Sequence, residues 1–133
     1  MDSGHSGTPQ LRKLGILTGT RWHVDGAPAG WRFESSPDAS LQTSPGSPTD
    51  VVVAFVTTAA EIPPVLERLE STVFPAGALW VAWPRKAAGH VSDITDNVVR
   101  EAALARSLVD TKVAAIDADW SGLKLVWRVE ARR

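Results

Sequence analysis

The sequence predicts a small three-layer α/β domain with a mostly parallel sheet of about five strands and a C-terminal antiparallel hairpin. After Asp50, the stretch over residues 50–56 is a continuous apolar run, as is the stretch over 78–83, and both are typical of strands buried on both faces. Residues 62–73 carry apolar side chains at helical spacing, whereas residues 123–129 alternate as a half-covered strand does. Strands alternating with helices indicate a parallel sheet with right-handed crossovers, a Rossmann-like arrangement.

The first half of the chain predicts few regular elements. Residues 1–7 are rich in Gly, Ser and His and are expected to be a disordered tail, so that residues 8–133 form the single domain. Thr8 and Pro9 are typical of a helix start, which predicts a helix over 10–14 that ends at Gly15. A short strand is expected over 21–25. Residues 35–49 hold five serines and three prolines, which predicts a flexible loop.

The second half predicts an ordered series of strands and helices. A strand over 50–56 is followed by a helix whose regular part begins after Pro63, and a strand over 78–83 is followed by a helix over 96–108. Leu108 is expected on the buried side of that second helix. Strands over 111–116 and 123–129, joined by a turn at 117–122, form the closing hairpin.

Composition limits the classes of function. The length of 133 residues suits one domain, and a net charge of −1 gives no overall attraction to nucleic acid or anionic lipid. The chain has no cysteine, which excludes disulfides and thiolate chemistry. No signal peptide or membrane-length apolar run is found. We therefore expect a cytoplasmic monomer or small homo-oligomer without a nucleic-acid or membrane partner.

The carboxyl ends of the strands are where an open parallel sheet binds its ligands. This rule selects the candidate ligand-binding residues Asp25, Gly26, Thr57, Thr58, Trp83, Arg85, Lys86, Asp117 and Trp120. Arg85 and Lys86, beside a helix start at Thr57 and Thr58, have the chemistry to hold an anionic small molecule. The alternative is a solvated basic loop with Asp93 or Glu61 as its counter-ion.

The six tryptophans are divided between core and candidate site. Trp80 and Trp83 lie an odd number of residues apart on one strand and therefore point to opposite faces. Trp22, Trp80 and Trp127 are expected in the core, and Trp83 is the expected wall of a pocket. For Trp120, in the predicted turn, core and site are equally favoured.

No catalytic, metal or cofactor motif is recognised. The three histidines lack paired ligand spacing, and no phosphate-binding or dinucleotide-binding glycine loop occurs. His90 and Asp93 share a loop with a serine, but residues this close in sequence rarely adopt triad geometry. Asp117 and Asp119 have the chemistry of an acid/base pair, although aspartates in such a turn more often cap backbone amides. We predict no catalytic residue, no metal and no cofactor.

Several motifs resemble an uncharacterised actinobacterial domain-of-unknown-function family, which implies no activity. They are Ser6-Gly-Thr-Pro9, Lys13-Leu-Gly-Ile16, Leu79-Trp-Val-Ala-Trp-Pro84, Ser92-Asp-Ile-Thr95, Leu108-Val-Asp, Lys112-Val-Ala-Ala-Ile-Asp117 and Trp120-Ser-Gly-Leu-Lys-Leu-Val-Trp127.

A second resemblance is architectural. Residues 50–133 look like the second half of a class I methyltransferase, whose last two strands form a hairpin, and this implies a final strand antiparallel beside residues 78–83. Such enzymes hold their cofactor with a glycine-rich turn after the first strand. The equivalent turn here, residues 24–30, has glycines four apart with a proline between them, and no acidic residue ends a second strand.

Two functions are consistent with these observations. The small size and the missing cofactor motif favour a non-catalytic accessory or regulatory protein that acts through contact with a protein partner. The alternative is a binder of an anionic or nucleotide-like small molecule, or an enzyme, with its site at the carboxyl ends of the strands. A cavity where those strand-end loops meet would distinguish the second function from the first.

Overall fold

The computed structural model describes residues 8–132; the tail predicted to be disordered, residues 1–7, lies outside them. Within this range the helices and strands follow in the order α1 (Gln10–Leu14), β1 (Arg21–Asp25), β2 (Leu41–Gln42), β3 (Val51–Phe55), α2 (Ile62–Leu69), β4 (Ala78–Pro84), α3 (Asp96–Leu104), β5 (Leu108–Ala115) and β6 (Trp120–Trp127). Short 3₁₀ turns at Ala59–Glu61 and Glu70–Val73 extend α2 at its two ends.

The strands form one mixed sheet in the order β2-β1-β3-β4-β6-β5. The first four strands are parallel, and β6 lies antiparallel between β4 and β5. This confirms the predicted α/β class, the mostly parallel sheet and the C-terminal hairpin. The final strand pairs with β4, as the methyltransferase resemblance implied.

Three local features differ from the predictions. The loop over 35–49 contains β2, which gives the described sheet six strands instead of about five. The helix predicted over 96–108 ends at Leu104, and Leu108 begins β5 opposite Trp127. Trp120 begins β6 opposite Pro84 and does not lie in a turn. In each case backbone pairing with a neighbouring strand overrides the local pattern.

The two faces of the sheet are covered differently. Helices α2 and α3 cover one face over a large core that includes Leu66, Val99 and Trp83. The other face is covered by α1 and by the irregular segment of residues 26–40, which we call the cover segment. Trp80, fully buried, lies in the core of this second face, so that Trp80 and Trp83 do point to opposite faces. No helix among residues 8–132 has the length and apolarity to cross a membrane.

The side chain of Gln10 fastens the cover segment to the second face. It is 3% exposed, its Nε2 donates to the carbonyl oxygen of Ile116 at 2.7 Å, and its Oε1 accepts the backbone amide of Glu34 at 2.8 Å. One amide group therefore satisfies two backbone groups on segments far apart in sequence. Buried backbone groups that lose such a partner are costly.

Replacing Gln10 by Ala should lower the free energy of unfolding by roughly 2–4 kcal/mol, because two backbone groups lose their partners. Urea unfolding followed by circular dichroism measures the change. Gln42→Ala is the matched control: Gln42 is exposed and its side chain makes no hydrogen bond with residues 8–132, so its replacement should have an effect within about 0.5 kcal/mol. Equal losses for the two variants would contradict the role assigned to Gln10.

Candidate functional site

The order of the strands locates the crevice that such a sheet offers to ligands. The chain moves from β1 outward to β2 and then returns to the opposite side of β1 as β3, so the direction of winding reverses between β1 and β3. Loops diverge at such a switch point, and ligands bind outside the carboxyl ends of its strands. Asp25 is the last residue of β1 and Gly26 follows it, whereas Thr57 and Thr58 follow β3. The structure thus brings these four predicted residues to adjacent strand ends.

The Asp25 carboxylate is turned toward α2 and is held by Arg68. The guanidinium of Arg68 donates to both carboxylate oxygens at 2.9 Å. This hydrogen bonding lowers the pKa of Asp25 below its ordinary value, against the opposing effect of burial. His23 lies behind the pair, with its Nε2 4.0 Å from Asp25 Oδ1 and its Nδ1 buried without a partner among residues 8–132. Asp25 is therefore an ionised anchor of α2.

Gly26 makes the turn at the end of β1. Its φ of 71° is left-handed, and a Cβ at this position would lie 2.9 Å from the carbonyl oxygen of Phe55, the last residue of β3. Only glycine allows the turn to approach β3 so closely. The backbone of this turn therefore rests on the neighbouring strand.

Carboxylates already occupy the amides at the start of the helix after β3. Glu61 accepts the backbone amide of Thr57 at 3.1 Å and the hydroxyls of Thr57 and Thr58 at 3.1 and 3.2 Å. Asp93, on a distant loop, accepts the amide of Ala59 at 2.9 Å. These are the donors expected to hold an external anion. Glu61 and Asp93, the counter-ions expected for the basic loop at Arg85 and Lys86, bind the start of the helix instead.

Arg85 joins two strand-end loops. Its Nη1 donates to the carbonyl oxygens of Ala118 at 3.1 Å and Asp117 at 3.4 Å, and its backbone amide donates to Asp119 O at 2.9 Å. Lys86 is exposed and makes no ion pair with residues 8–132. The structure therefore brings Arg85 and Asp117 together, with the guanidinium committed to backbone carbonyls.

Asp117 organises the turn before β6. Its Oδ1 accepts the amides of Asp119 and Trp120 at 2.8 and 3.0 Å, which confirms the capping interpretation. Its Oδ2 accepts the indole N–H of Trp31 at 2.9 Å. Asp119 is 3.0 Å from His90 Nε2, so the histidine pairs with this aspartate and not with Asp93. Both His90 and Asp119 are exposed, and no nucleophile completes a triad with them in the described part of the chain.

Aromatic rings fill the second face beside these loops. Trp31 and Trp120 each contact Phe55 edge-on, with ring centroids 4.9 and 4.8 Å apart. Phe33 continues the series to Trp31 at 5.1 Å and to Trp22 at 5.2 Å. We call these five rings the aromatic row. Trp83, expected as a pocket wall, lies on the other face and is 6% exposed in the main core.

A cavity of about 660 Å³ opens at the carboxyl end of β2, away from the strand ends selected from the sequence. Gln42, the last residue of β2, pairs with Trp22, so the two side chains lie on the same face. Trp22 is half-buried at the cavity wall and donates its indole N–H to Ser40 at 2.8 Å, although it was expected in the core. The full lining is Trp22, Arg32, Phe33, Glu34, Ser35, Ser36, Pro37, Asp38, Ser40 and Gln42.

Sequence reasoning missed this cavity because its walls come from the cover segment and its floor from a two-residue strand. The one available signal was compositional. Residues 31–36, WRFESS, interleave aromatic and charged side chains just before the Ser/Pro-rich loop. Such a mixture is typical of binding surfaces, but without the pairing of β2 with β1 it had no position in the fold.

Solved structures with the same fold include methyltransferases. Methanococcus jannaschii fibrillarin pre-rRNA processing protein matches with a TM-score of 0.55 and 11% identity, over 84% of this chain and 68% of that one. The M1A22 tRNA methyltransferase TrmK of B. subtilis matches with a TM-score of 0.53 and 10% identity, over 90% and 65%. A Streptococcus agalactiae protein of the NADB-Rossmann superfamily matches with a TM-score of 0.54 and 9% identity, over 90% and 68%.

The chain spans about two thirds of the length of these three structures. No family model matches the chain, and no curated protein matches it. Similarity at this identity shows the fold. It contradicts the expectation of a non-catalytic accessory protein, because the structures that share the fold include methyltransferases.

The residues after β1 do not fit the methyl-donor cofactor that the fold implies. The Gly26 turn rests on the end of β3, and Trp31, bonded to Asp117, covers Phe55 beside it. At the end of β2 the side chain is the amide of Gln42, where such enzymes have a carboxylate. These residues lack the features that would hold such a cofactor, and we derive no methyl-transfer step from the crevice between β1 and β3.

The pair formed by Asp25 and Arg68 should make stability depend on pH. Because the folded-state pKa of Asp25 lies below the unfolded value of about 3.8, the stabilisation is present above pH 3.8 and is lost as the pH falls through the folded pKa. Arg68→Gln should therefore lower the free energy of unfolding by roughly 1 kcal/mol at pH 7 and by much less near pH 2. Urea unfolding at both pH values measures the difference.

Arg12→Gln serves as the control, since Arg12 is exposed and makes no ion pair with residues 8–132. It should leave stability unchanged at both pH values. A deficit for Arg68→Gln that is equally large at pH 7 and pH 2 would show that the arginine acts through packing and not through the charge of Asp25.

Proposed function

We propose that this protein binds a small molecule in the cavity at the carboxyl end of β2. The observation that carries the proposal is the cavity itself, about 660 Å³ in volume, between the cover segment and the edge of the sheet. Its volume lies within the range of about 300–1,000 Å³ that is usual for ligand sites. The site thus lies at a strand end, but on the β2 side of the switch point.

The lining has the mixed character of a ligand site. Trp22 and Phe33 provide apolar ring surface at right angles to one another. Arg32, Glu34 and Gln42 provide charged and amide groups whose side chains make no hydrogen bond or ion pair with residues 8–132. Rings provide contact area, and a few polar groups fix orientation. At the β1–β3 crevice, by contrast, the polar groups are paired with one another.

The comparisons support a small-molecule function at the level of fold. Sheets of this kind place ligands at strand ends, and the solved structures that share the fold include a tRNA methyltransferase. We also propose that the chain belongs to the uncharacterised actinobacterial family, on the basis of its sequence motifs. A location in the cytoplasm is proposed on the basis of composition. The anionic ligand predicted at Arg85 and Lys86 is the competing site, and the experiment below separates the two.

A thermal-shift screen tests the proposal. The library contains nucleosides, nucleotides, amino acids and phosphorylated metabolites, together with S-adenosylmethionine. A ligand at about 100 times its Kd stabilises the folded state by about 2.7 kcal/mol, which raises the Tm by several degrees. Ser35→Trp, which places an indole in the cavity, should abolish that rise, whereas Ser35→Ala should preserve it.

Lys86→Ala tests the competing site in the same screen, because Lys86 lies outside the cavity. We expect it to preserve the rise in Tm. Ligands whose effect disappears in Lys86→Ala but persists in Ser35→Trp would place the site at the loop after β4 and overturn the proposal. A library without any stabilising compound would overturn small-molecule binding at either place.

A further inference from the structure

Two opposite charges line the same cavity without neutralising each other. Arg32 and Glu34 are two residues apart in the cover segment, and both are exposed at the cavity. No ion pair joins them, and neither has another charged partner among residues 8–132.

The third charged side chain in the lining, Asp38, has a hydrogen-bond partner within the protein and keeps its charge. The carboxylate of Asp38 accepts the hydroxyl of Ser36. Ser40 is also committed, since it accepts the indole N–H of Trp22 and donates to the carbonyl oxygen of Pro37 at 2.6 Å. The cavity therefore presents one guanidinium, the free carboxylate of Glu34, the hydrogen-bonded carboxylate of Asp38 and the ring surfaces of Trp22 and Phe33.

From this juxtaposition we infer that the ligand is a zwitterion with a planar ring, of the kind that an aromatic amino acid represents. A guanidinium forms two parallel hydrogen bonds with a carboxylate, and a carboxylate accepts strong hydrogen bonds from an ammonium. Arg32 would take the ligand's carboxylate, Glu34 its ammonium, and Trp22 with Phe33 its ring. A ligand with only a negative charge would be repelled by Glu34, and a ligand with only a positive charge would be repelled by Arg32. This inference rests on the proposed function and names its ligand class.

Three probes that differ in one charge at a time test the inference. L-Tryptophan carries both charges, L-tryptophanamide lacks the carboxylate, and indole-3-propionate lacks the ammonium. Binding is followed by the indole N–H resonance of Trp22, which the Trp22→Phe variant assigns by its disappearance. L-Tryptophan should bind about tenfold more tightly than either single-charge probe, a ratio that corresponds to about 1.4 kcal/mol.

Two variants assign each charge to its partner. Arg32→Gln should remove the preference for L-tryptophan over L-tryptophanamide, and Glu34→Gln should remove its preference over indole-3-propionate. Arg12→Gln and Glu67→Gln are matched controls, because both residues are exposed and lie outside the cavity. They should leave both preferences unchanged.

The outcomes separate this inference from the proposed function. Equal binding of the three probes, or preferences that survive both variants, would overturn the zwitterion while leaving a small-molecule site in place. Failure of all three probes to bind would also overturn it, if other library compounds raise the Tm of the protein and lose this effect in Ser35→Trp. A screen without any compound that requires the open cavity would overturn the proposed function itself.

Discussion

The buried amide of Gln10 is the contact on which the second face of this protein depends. A sheet face is normally covered by helices, which satisfy their own backbone groups. Here a five-residue helix and the irregular cover segment do this work, so the backbone groups of the segment need partners from elsewhere. Gln10 provides one at Glu34 and at the same time holds the turn after β5 through Ile116. The wall of the cavity is therefore fastened from inside the core.

The crevice between β1 and β3 illustrates how one sheet order can serve different sites. The strand order creates a switch point between β1 and β3 whatever residues follow those strands. Whether that point receives a ligand is decided locally, by Gly26 resting on β3 and by Trp31 covering Phe55. A buried indole removes about as much apolar surface from water as many small ligands would. A shared fold therefore does not by itself imply a shared site.

The sequence predicted the elements whose signals are local. The apolar run of β3 and the helix start at Thr95, whose hydroxyl accepts the amide of Val98, could be recognised from residue type and spacing. The predicted end of α3 was wrong. Leu108 fits the helical spacing, but its place in β5 depends on pairing with Trp127. The cavity and the bond from Trp31 to Asp117 join segments up to 86 residues apart. No periodicity along the chain records such contacts.

The aromatic row also has an optical consequence. The chain has six tryptophans and no tyrosine, so its near-ultraviolet absorption comes almost entirely from indole. Three of those indoles, at Trp22, Trp31 and Trp120, belong to one continuous series of rings with neighbouring centroids 4.8–5.2 Å apart. The electronic transitions of rings held so close, with interplanar angles of 62–87°, interact with one another. The near-ultraviolet circular dichroism of this protein therefore includes a contribution that depends on how Trp31 of the cover segment packs against Phe33 and Phe55.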